Sequence, residues 1–179
     1  MMQYRHGTLA AFEQLYRRHK NPLYRYLLRG CGQAETAGEL FQDVWASLVR
    51  ARSNYQPRAK FTTWLYTLAH HRLIDHLRCL PRQPISLSVD DDDETTTPAA
   101  LWAAEHERPD AQAVAAEQRL NIRRALAALP IEQREAFLLH EEGGLTLDEI
   151  AVVSGVGRET VKSRLRYALV KLREALADV

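Results

Sequence analysis

The middle of the chain, residues 81–110, limits most strongly what this sequence can fold into. It contains four prolines, three consecutive threonines and an acidic run at 90–94. Such a composition cannot bury enough apolar surface to form a packed core. It therefore predicts two domains, residues 1–80 and residues 111–179, joined by a flexible acidic linker at 81–110 that allows a short helix around 99–107.

Both predicted domains carry apolar residues at the spacing of amphipathic helices, and convincing strand alternation is absent. In the first domain, Asn21 and Pro22 predict the start of a second helix, which Gly30 and Gly32 end. Four further helices are expected after residue 110. The predicted fold class is all-α, with two small helical domains.

The charge of the chain changes sign from part to part. Residues 1–85 carry 13 Lys/Arg against 5 Asp/Glu, a net charge of +8. Residues 86–117 carry 1 against 9, a net of −8, and residues 118–179 carry 10 against 9, a net of +1. Within the last part, residues 157–173 hold six Lys/Arg against one acid. Two basic surfaces on either side of an acidic connector indicate a polyanionic partner that is bound at two places. Taken alone, the charge pattern is equally compatible with an ordinary solvated surface that binds no polyanion.

Several classes of protein are not supported by the sequence. No apolar run approaches the roughly 20 residues of a membrane span, and no secretory signal is visible. Cys31 and Cys79 lie outside any metal-ligand spacing. No nucleophile–base pair, phosphate-binding glycine loop or carboxylate dyad is found. We therefore expect a cytoplasmic, non-enzymatic protein with no membrane insertion, metal or cofactor.

Residues 145–165 have the layout of a helix-turn-helix. Thr146 and Glu149 predict a capping box on the first helix, and Gly155 suits the tight turn. The side of the second helix opposite its apolar line is polar and basic, which is typical of a helix that reads base edges and phosphates in the major groove. The predicted contacts are Arg158, Glu159, Thr160, Lys162, Ser163, Arg164, Arg166 and Tyr167.

Several short motifs follow one another in a fixed order along the chain. They are Ala-Phe-Glu-Gln-Leu-Tyr at 11–16, Glu-Leu-Phe-Gln-Asp-Val-Trp at 39–45, Phe-Thr-Thr-Trp-Leu at 61–65, Ile-Asp-His-Leu-Arg at 74–78, Leu-Ala-Ala-Leu-Pro-Ile-Glu-Gln-Arg-Glu-Ala-Phe at 126–137 and Thr-Val-Lys-Ser-Arg-Leu at 160–165. The first four resemble region 2, and the last two region 4, of extracytoplasmic-function (ECF) sigma factors of the sigma-70 family. The resemblance covers nearly the whole chain except the linker.

This resemblance implies a promoter-specificity subunit of RNA polymerase that is restrained by an anti-sigma factor. Region 2, within residues 1–80, is then expected to bind core polymerase and to recognise and melt the minus-ten element. Region 4, within residues 111–179, is expected to recognise the minus-thirty-five element, and the acidic run at 90–94 either stays solvated or imitates nascent RNA. The implied polymerase contacts are Glu39, Leu40, Phe41, Gln42, Asp43 and Trp45. As an alternative, Phe41 and Trp45 fill the core of their own domain.

The helix predicted at about 62–78 carries the implied minus-ten face, because its exposed stripe combines aromatic, polar and basic side chains that suit an unstacked single strand. Family members commonly have asparagine where this chain has His71, and often arginine where it has Tyr167. We expect both departures to alter base preference. The predicted minus-ten contacts are Lys60, Trp64, Thr67, His71, Asp75 and Arg78.

Two other functions are compatible with parts of the sequence. A helix-turn-helix regulator that works without polymerase leaves the basic N-terminal domain unexplained. A helical hydrolase could use His70, His71 and Asp75 around a metal. Two ligands one turn apart on a single helix are too few for a metal site, and no complementary His/Cys cluster appears elsewhere.

Overall fold

The computed structural model describes residues 1–79 and 109–177, and every regular element in these two ranges is an α-helix. The all-α prediction is confirmed for this part of the chain. The acidic run at 90–94 and the helix expected around 99–107 lie outside the described residues. The helices are α1 (Met2–Arg5), α2 (Leu9–Cys31), α3 (Ala34–Arg50), α4 (Phe61–Cys79), α5 (Pro109–Ala127), α6 (Ile131–Glu141), α7 (Leu147–Ser154) and α8 (Arg158–Ala177).

Helices α1 to α4 form the N-terminal bundle, in which α2, α3 and α4 pack pairwise against one another. Leu27, Leu48 and Leu65 are fully buried between them, and each such side chain contributes about 1.5–3 kcal/mol. Where α2 and α4 cross, a β-carbon on Gly30 would lie 2.5 Å from Leu73 Cδ2. Glycine at this position therefore lets the two helices approach without moving Leu73.

The helix start predicted at Asn21 and Pro22 is wrong, because α2 runs unbroken through both residues. Proline inside a helix removes one backbone hydrogen bond. The turns around it bury Leu23 and Leu27 completely, and this tertiary packing outweighs the local cost. The predicted end is confirmed at Gly32, which caps α2 with a left-handed φ of 82°, whereas Gly30 lies inside the helix.

Helices α5 to α8 form the C-terminal bundle, in which α8 packs against α5, α6 and α7. Leu138 of α6, Ile150 of α7 and Val161 of α8 are fully buried at its centre. Helix α6 ends just before Gly143 and Gly144, as the sequence predicts. Both bundles thus follow the apolar spacing of their helices.

The two bundles pack against each other, which the sequence did not predict. Helix α2 contacts α5 and α6, and α4 contacts α7. Leu73 and Leu77 of the N-terminal bundle and Ile131 and Leu138 of the C-terminal bundle line one narrow cleft between them. The buried side chains of both bundles belong to one continuous apolar cluster. The domain boundaries at 80 and 110 stay a prediction.

Candidate nucleic-acid interface

Helices α7 and α8 form the predicted helix-turn-helix. Thr146 caps α7 by accepting a hydrogen bond from the Glu149 N–H at 3.3 Å, and the Glu149 carboxylate accepts one from the Thr146 N–H at 2.9 Å. Gly155 ends α7 with a φ of 65°, a left-handed conformation that L side chains rarely adopt. The capping box and the glycine turn are both confirmed, and together they fix the direction in which α8 leaves the turn.

One side of α8 holds the helix in the bundle, while the opposite side is open. Val161 and Ala168 are fully buried. Ser163 and Arg164 are half-buried, so they lie at the edge of the open side rather than at its centre. The other six predicted contacts are exposed: Arg158, Glu159, Thr160, Lys162, Arg166 and Tyr167.

The charged side chains on this face make only surface contacts with one another. Arg158 Nε lies 3.1 Å from Asp148 Oδ1, and Lys162 Nζ lies 3.7 Å from Glu159 Oε2. The Arg166 guanidinium lies 5.0 Å from the centre of the Tyr167 ring. Exposed ion pairs contribute about 0–1 kcal/mol. These basic side chains can therefore exchange their exposed carboxylate partners for phosphates or base edges at little cost in free energy.

The predicted minus-ten face on α4 is less open than the sequence suggested. His71, Asp75 and Arg78 are exposed, but Trp64 and Thr67 are half-buried. The Trp64 ring packs edge-on against Tyr55 with centroids 4.8 Å apart, and the Thr67 hydroxyl donates to the backbone carbonyl of residue 63 at 2.8 Å. The prediction of one continuous exposed stripe is wrong at these two positions.

The predicted polymerase-binding segment on α3 divides into two sides. Glu39, Gln42 and Asp43 are exposed and share one side. Leu40, Phe41 and Trp45 are 7%, 6% and 6% exposed. These three side chains therefore offer little surface for direct contact with a partner in this conformation.

The two buried aromatic side chains of α3 instead complete an aromatic cluster. Phe41 packs edge-on against Tyr16 and Tyr24, with centroid distances of 6.1 and 5.9 Å. Trp45 packs against Tyr16 at 5.0 Å and against Phe12 at 5.8 Å. The structure therefore agrees with the alternative prediction, in which Phe41 and Trp45 fill the core of their own domain.

Three carboxylates of the C-terminal bundle contact basic side chains of the N-terminal bundle. They occur at intervals of seven residues, and we call them the clasp carboxylates: Glu135, Glu142 and Glu149. Glu142 is the most fully engaged. Its side chain is only 6% exposed, and it binds Arg25 Nε at 2.6 Å and also Arg29. Its backbone carbonyl accepts a hydrogen bond from the Tyr66 hydroxyl at 3.0 Å.

The other two clasp carboxylates bind α4 and the residue before it. Glu135 contacts the Nδ1 atom of His70, and both side chains are largely buried. Glu149 lies 3.0 Å from Lys60 Nζ and 3.4 Å from the Thr63 hydroxyl. The Thr146 backbone N–H, and next the Lys60 ammonium, lower the pKa of Glu149 to about 2. Lys60, a predicted DNA contact, thus has an internal partner.

Sequence reasoning missed the clasp carboxylates, although the sequence holds a signal for them. A DNA-binding unit has little use for acids at buried positions, because an uncompensated buried carboxylate is costly. Glu135 and Glu142 nevertheless lie at helical spacing from the apolar Leu138, the first three residues before it in α6 and the second four residues after it at the C-cap. Acids at such positions indicate basic partners on another packed unit.

No group of three or more His, Cys, Asp or Glu side chains that could hold a metal ion occurs within residues 1–79 and 109–177. His70 is paired with Glu135, while His71 and Asp75 point to solvent as exposed residues. The side chains needed for the metal-hydrolase alternative therefore do not converge in the described part of the chain.

Comparison with known proteins decides between the remaining functions. A family model described as Sigma-70 region 2 matches residues 15–83, and one described as Sigma-70, region 4 matches residues 119–172. The chain is 33% identical to the ECF RNA polymerase sigma factor RpoE of Cereibacter sphaeroides, over 96% of this chain and 90% of that protein. This chain is an ECF sigma factor. It is also 30% identical to the RNA polymerase sigma factor CarQ of Myxococcus xanthus, over 100% and 97% of the two chains.

Solved structures share the fold of this sigma factor. The sigma factor RpoE in complex with the anti-sigma factor NepR, from Bartonella quintana, gives a TM-score of 0.68 at 22% identity and covers 93% of this chain and 97% of its own. CnrH in complex with the cytosolic domain of CnrY gives 0.69 at 22% identity, covering 98% and 93%.

The family assigns the N-terminal bundle to region 2 and the C-terminal bundle to region 4. A sigma factor is a non-enzymatic subunit that binds core RNA polymerase and promoter DNA and directs transcription initiation, so the prediction that this chain is not an enzyme is confirmed. In the described ranges, none of the helices combines the length and the apolar composition that crossing a membrane requires.

Proposed function

We propose that region 4 reads the minus-thirty-five element as duplex DNA through α8, while region 2 captures the melted minus-ten strand through α4. The observation that carries the proposal is the open side of α8, where Arg158, Lys162 and Arg166 are exposed directly after a capped helix and a glycine turn. A major groove admits one helix, and bidentate arginine contacts with guanine are the commonest specific readout.

The proposed minus-ten contacts comprise His71, Asp75 and Arg78, with Lys60 and Trp64 at the start of α4. Single-stranded DNA is bound by basic side chains near its phosphates and by aromatic rings on which bases stack. Arg78 and His71 are exposed in this arrangement. Trp64 and Thr67 become available only after their surroundings rearrange.

For the polymerase contact we propose the exposed acidic side of α3. Glu39, Gln42 and Asp43 lie on one surface of a helix whose other side is buried. Acidic and amide side chains of this kind suit a basic groove, where charge complementarity directs association. Leu40, Phe41 and Trp45 act indirectly, by holding α3 in the bundle.

An anti-sigma factor is a further proposed partner. The Bartonella quintana sigma factor of the same fold is bound to one in its solved structure. We propose that the chain acts in the cytoplasm, where core polymerase and promoter DNA are found. We propose that the departures from the family pattern at His71 and Tyr167 alter promoter choice.

The proposal is tested by transcription in vitro. The full chain is incubated with core RNA polymerase and a library of genomic promoter fragments, and the transcripts are sequenced. We expect the chain to co-purify with core polymerase and to produce transcripts from start sites that core polymerase alone does not use, with shared upstream elements. If the chain neither associates with core polymerase nor changes the start sites, the proposal is wrong.

A further inference from the structure

We propose that Arg5 of α1 is a positioning residue for strand capture. It holds Tyr55 against Trp64, and it thereby sets how readily the Trp64 ring accepts an unstacked base. This inference rests on the proposed function and adds to it a residue that acts through others rather than by touching DNA. A series of contacts within the N-terminal bundle supports it, running from α1 through the loop at 51–60 to α4.

The loop at 51–60 joins α3 to α4 and is anchored at one residue. Of residues 51–60, only Tyr55 is buried, at 6% exposure, and all the others from 53 onwards are exposed. The Tyr55 N–H donates to the carbonyl of Arg52 at 3.4 Å, so that residues 52–55 form a turn. A segment with few buried contacts has low local stability. The position of this loop therefore depends on what holds Tyr55.

Helix α1 holds both ends of this turn. Arg5 Nη1 donates a hydrogen bond to the backbone carbonyl of Tyr55 at 2.9 Å. The Arg52 guanidinium lies 5.1 Å from the centre of the Tyr4 ring. Hydrogen bonds from a charged donor are stronger than those between neutral groups. Two adjacent residues of α1 thus restrain a turn that lies about fifty positions further along the chain.

Helix α1 is itself fixed to the core, although it lies at the start of the described chain. Tyr4 is 4% exposed, and its ring packs against Phe12 of α2 with centroids 5.0 Å apart. Phe12 in turn packs edge-on against Trp45 of α3 at 5.8 Å. A terminal segment that is tied down in this way is ordered. The Arg5 hydrogen bond therefore ties the loop to a firm support.

The restrained turn bears directly on the proposed minus-ten surface. The Tyr55 ring packs against Trp64 with centroids 4.8 Å apart and an angle of 65° between the rings. A base that stacks on an aromatic side chain needs a free face of the ring. A base that stacks on the side of Trp64 occupied by Tyr55 must displace Tyr55, and that displacement strains or breaks the Arg5 hydrogen bond. The strength of this bond is therefore part of the free-energy cost of strand capture.

The test uses holoenzyme reconstituted from the full chain and core polymerase. The probe is a fluorescent promoter fragment from the transcription library, duplex through the minus-thirty-five element and single-stranded across the minus-ten element. Arg5→Ala removes the donor from an exposed position, and Arg5→Lys keeps a cationic donor there. Arg17→Ala is the matched control, because it removes the same charge from α2, where the Arg17 side chain is 80% exposed and makes only a surface pair with Glu13.

Relative to this control, Arg5→Ala should bind the probe about three- to tenfold more tightly, since the net contribution of one hydrogen bond no longer opposes capture. Arg5→Lys should bind like the wild type. A fully duplex probe that carries only the minus-thirty-five element should bind all variants equally. If Arg5 merely supported the fold, its loss would weaken binding to the probe. Weaker or unchanged binding relative to the control would therefore overturn the proposal.

A second pair of variants tests whether Arg5 acts through Tyr55. Tyr55→Ala removes the ring that lies on Trp64 and should also tighten probe binding. Adding Arg5→Ala to Tyr55→Ala should change the affinity by less than about twofold, because both changes remove the same restraint. Independent, additive gains would contradict this route. Failure of the proposed function would look different, since the wild-type chain would then neither associate with core polymerase nor produce transcripts.

Discussion

The two proposed DNA-binding surfaces of this sigma factor, on α4 of region 2 and on α8 of region 4, are built in opposite ways. The α8 surface presents exposed cations on a helix fixed by a capping box and a glycine turn. The α4 surface has its aromatic side chain, Trp64, packed against Tyr55, and its nearby cation, Lys60, bound to Glu149. The α8 surface is already exposed on a fixed helix before DNA binds. The side chains of the α4 surface, by contrast, are partly engaged in contacts within the protein.

This difference follows from the physical properties of the two ligands. Duplex DNA offers a groove of fixed shape, so a rigid helix loses little entropy on binding it. A melted strand offers unstacked bases that need aromatic surface, and exposed aromatic surface promotes unwanted association. Packing Trp64 against Tyr55 in the free protein reduces this exposure.

The largest effect that separates the two surfaces is expected from Ile150→Ala. Ile150 is fully buried in α7 beneath the helix-turn-helix, and its truncation should cost about 2–5 kcal/mol of region 4 stability. Duplex binding should fall with the folded fraction of region 4, while single-strand binding should persist or increase. Urea unfolding measures the loss of stability. Titration with a fluorescent duplex 30-mer and a fluorescent single-stranded 20-mer measures the two binding affinities. Val152→Ala, on the same helix but 68% exposed, should change stability by less than about 0.5 kcal/mol.

Arg166→Ala tests the chemistry of the α8 surface without unfolding it. If the guanidinium reads a base, its loss should cost about 1–3 kcal/mol and relax preference at one position of the minus-thirty-five element. Selection from a randomised duplex library measures the preference at each position. Arg124→Ala removes another exposed arginine, from α5, and should leave specificity unchanged. A uniform loss over all sequences would mark Arg166 as a phosphate contact instead.

Thr146→Ala tests whether local capping sets the rigidity of the α8 surface. The change removes a side-chain cap that is present in the structure, and it should reduce the free energy of unfolding by about 1 kcal/mol. Thr8→Ala is the matched control, because Thr8 is also an N-cap residue but makes no side-chain cap hydrogen bond. Equal losses from the two variants in thermal unfolding would contradict the role of the cap.

The smallest effect is expected from the titration of Glu149. Its folded-state pKa of about 2 lies below the ordinary 4.5, so its carboxylate contributes stability above about pH 4.5 that is lost as the pH falls toward 2. Glu149→Gln should therefore flatten the decrease in unfolding free energy over this range. Urea unfolding from pH 5 downwards measures it. An unchanged pH profile in the variant would remove Glu149 as a source of acid sensitivity.

Features of the fold that depend on near neighbours in the chain could be predicted from the sequence. The capping box joins residues three apart, and Gly155 acts within a single turn, so their chemistry is visible in a short window. The break predicted at Pro22 failed because packing of distant helices outweighed a local preference. For Phe41, periodicity shows an apolar position but not whether the position faces its own core or a partner.

The partners of the clasp carboxylates could not be predicted, because the paired residues lie far apart in the sequence. Arg25 and Glu142 are separated by 117 positions, and His70 and Glu135 by 65. Helical spacing identifies the side of a helix that is buried, but not the unit that buries it. The charge asymmetry along the chain is visible in the sequence, but it indicates a polyanionic partner and an ordinary solvated surface equally.

The distance between the two regions during initiation tests the central claim most directly. One fluorophore is attached to Cys79, which is exposed at the end of α4, and its partner to Glu174→Cys on α8, with buried Cys31 changed to serine. We predict high energy transfer in the free sigma factor, and low transfer once core polymerase and promoter DNA are bound. Unchanged high transfer in a complex that produces transcript would contradict the account.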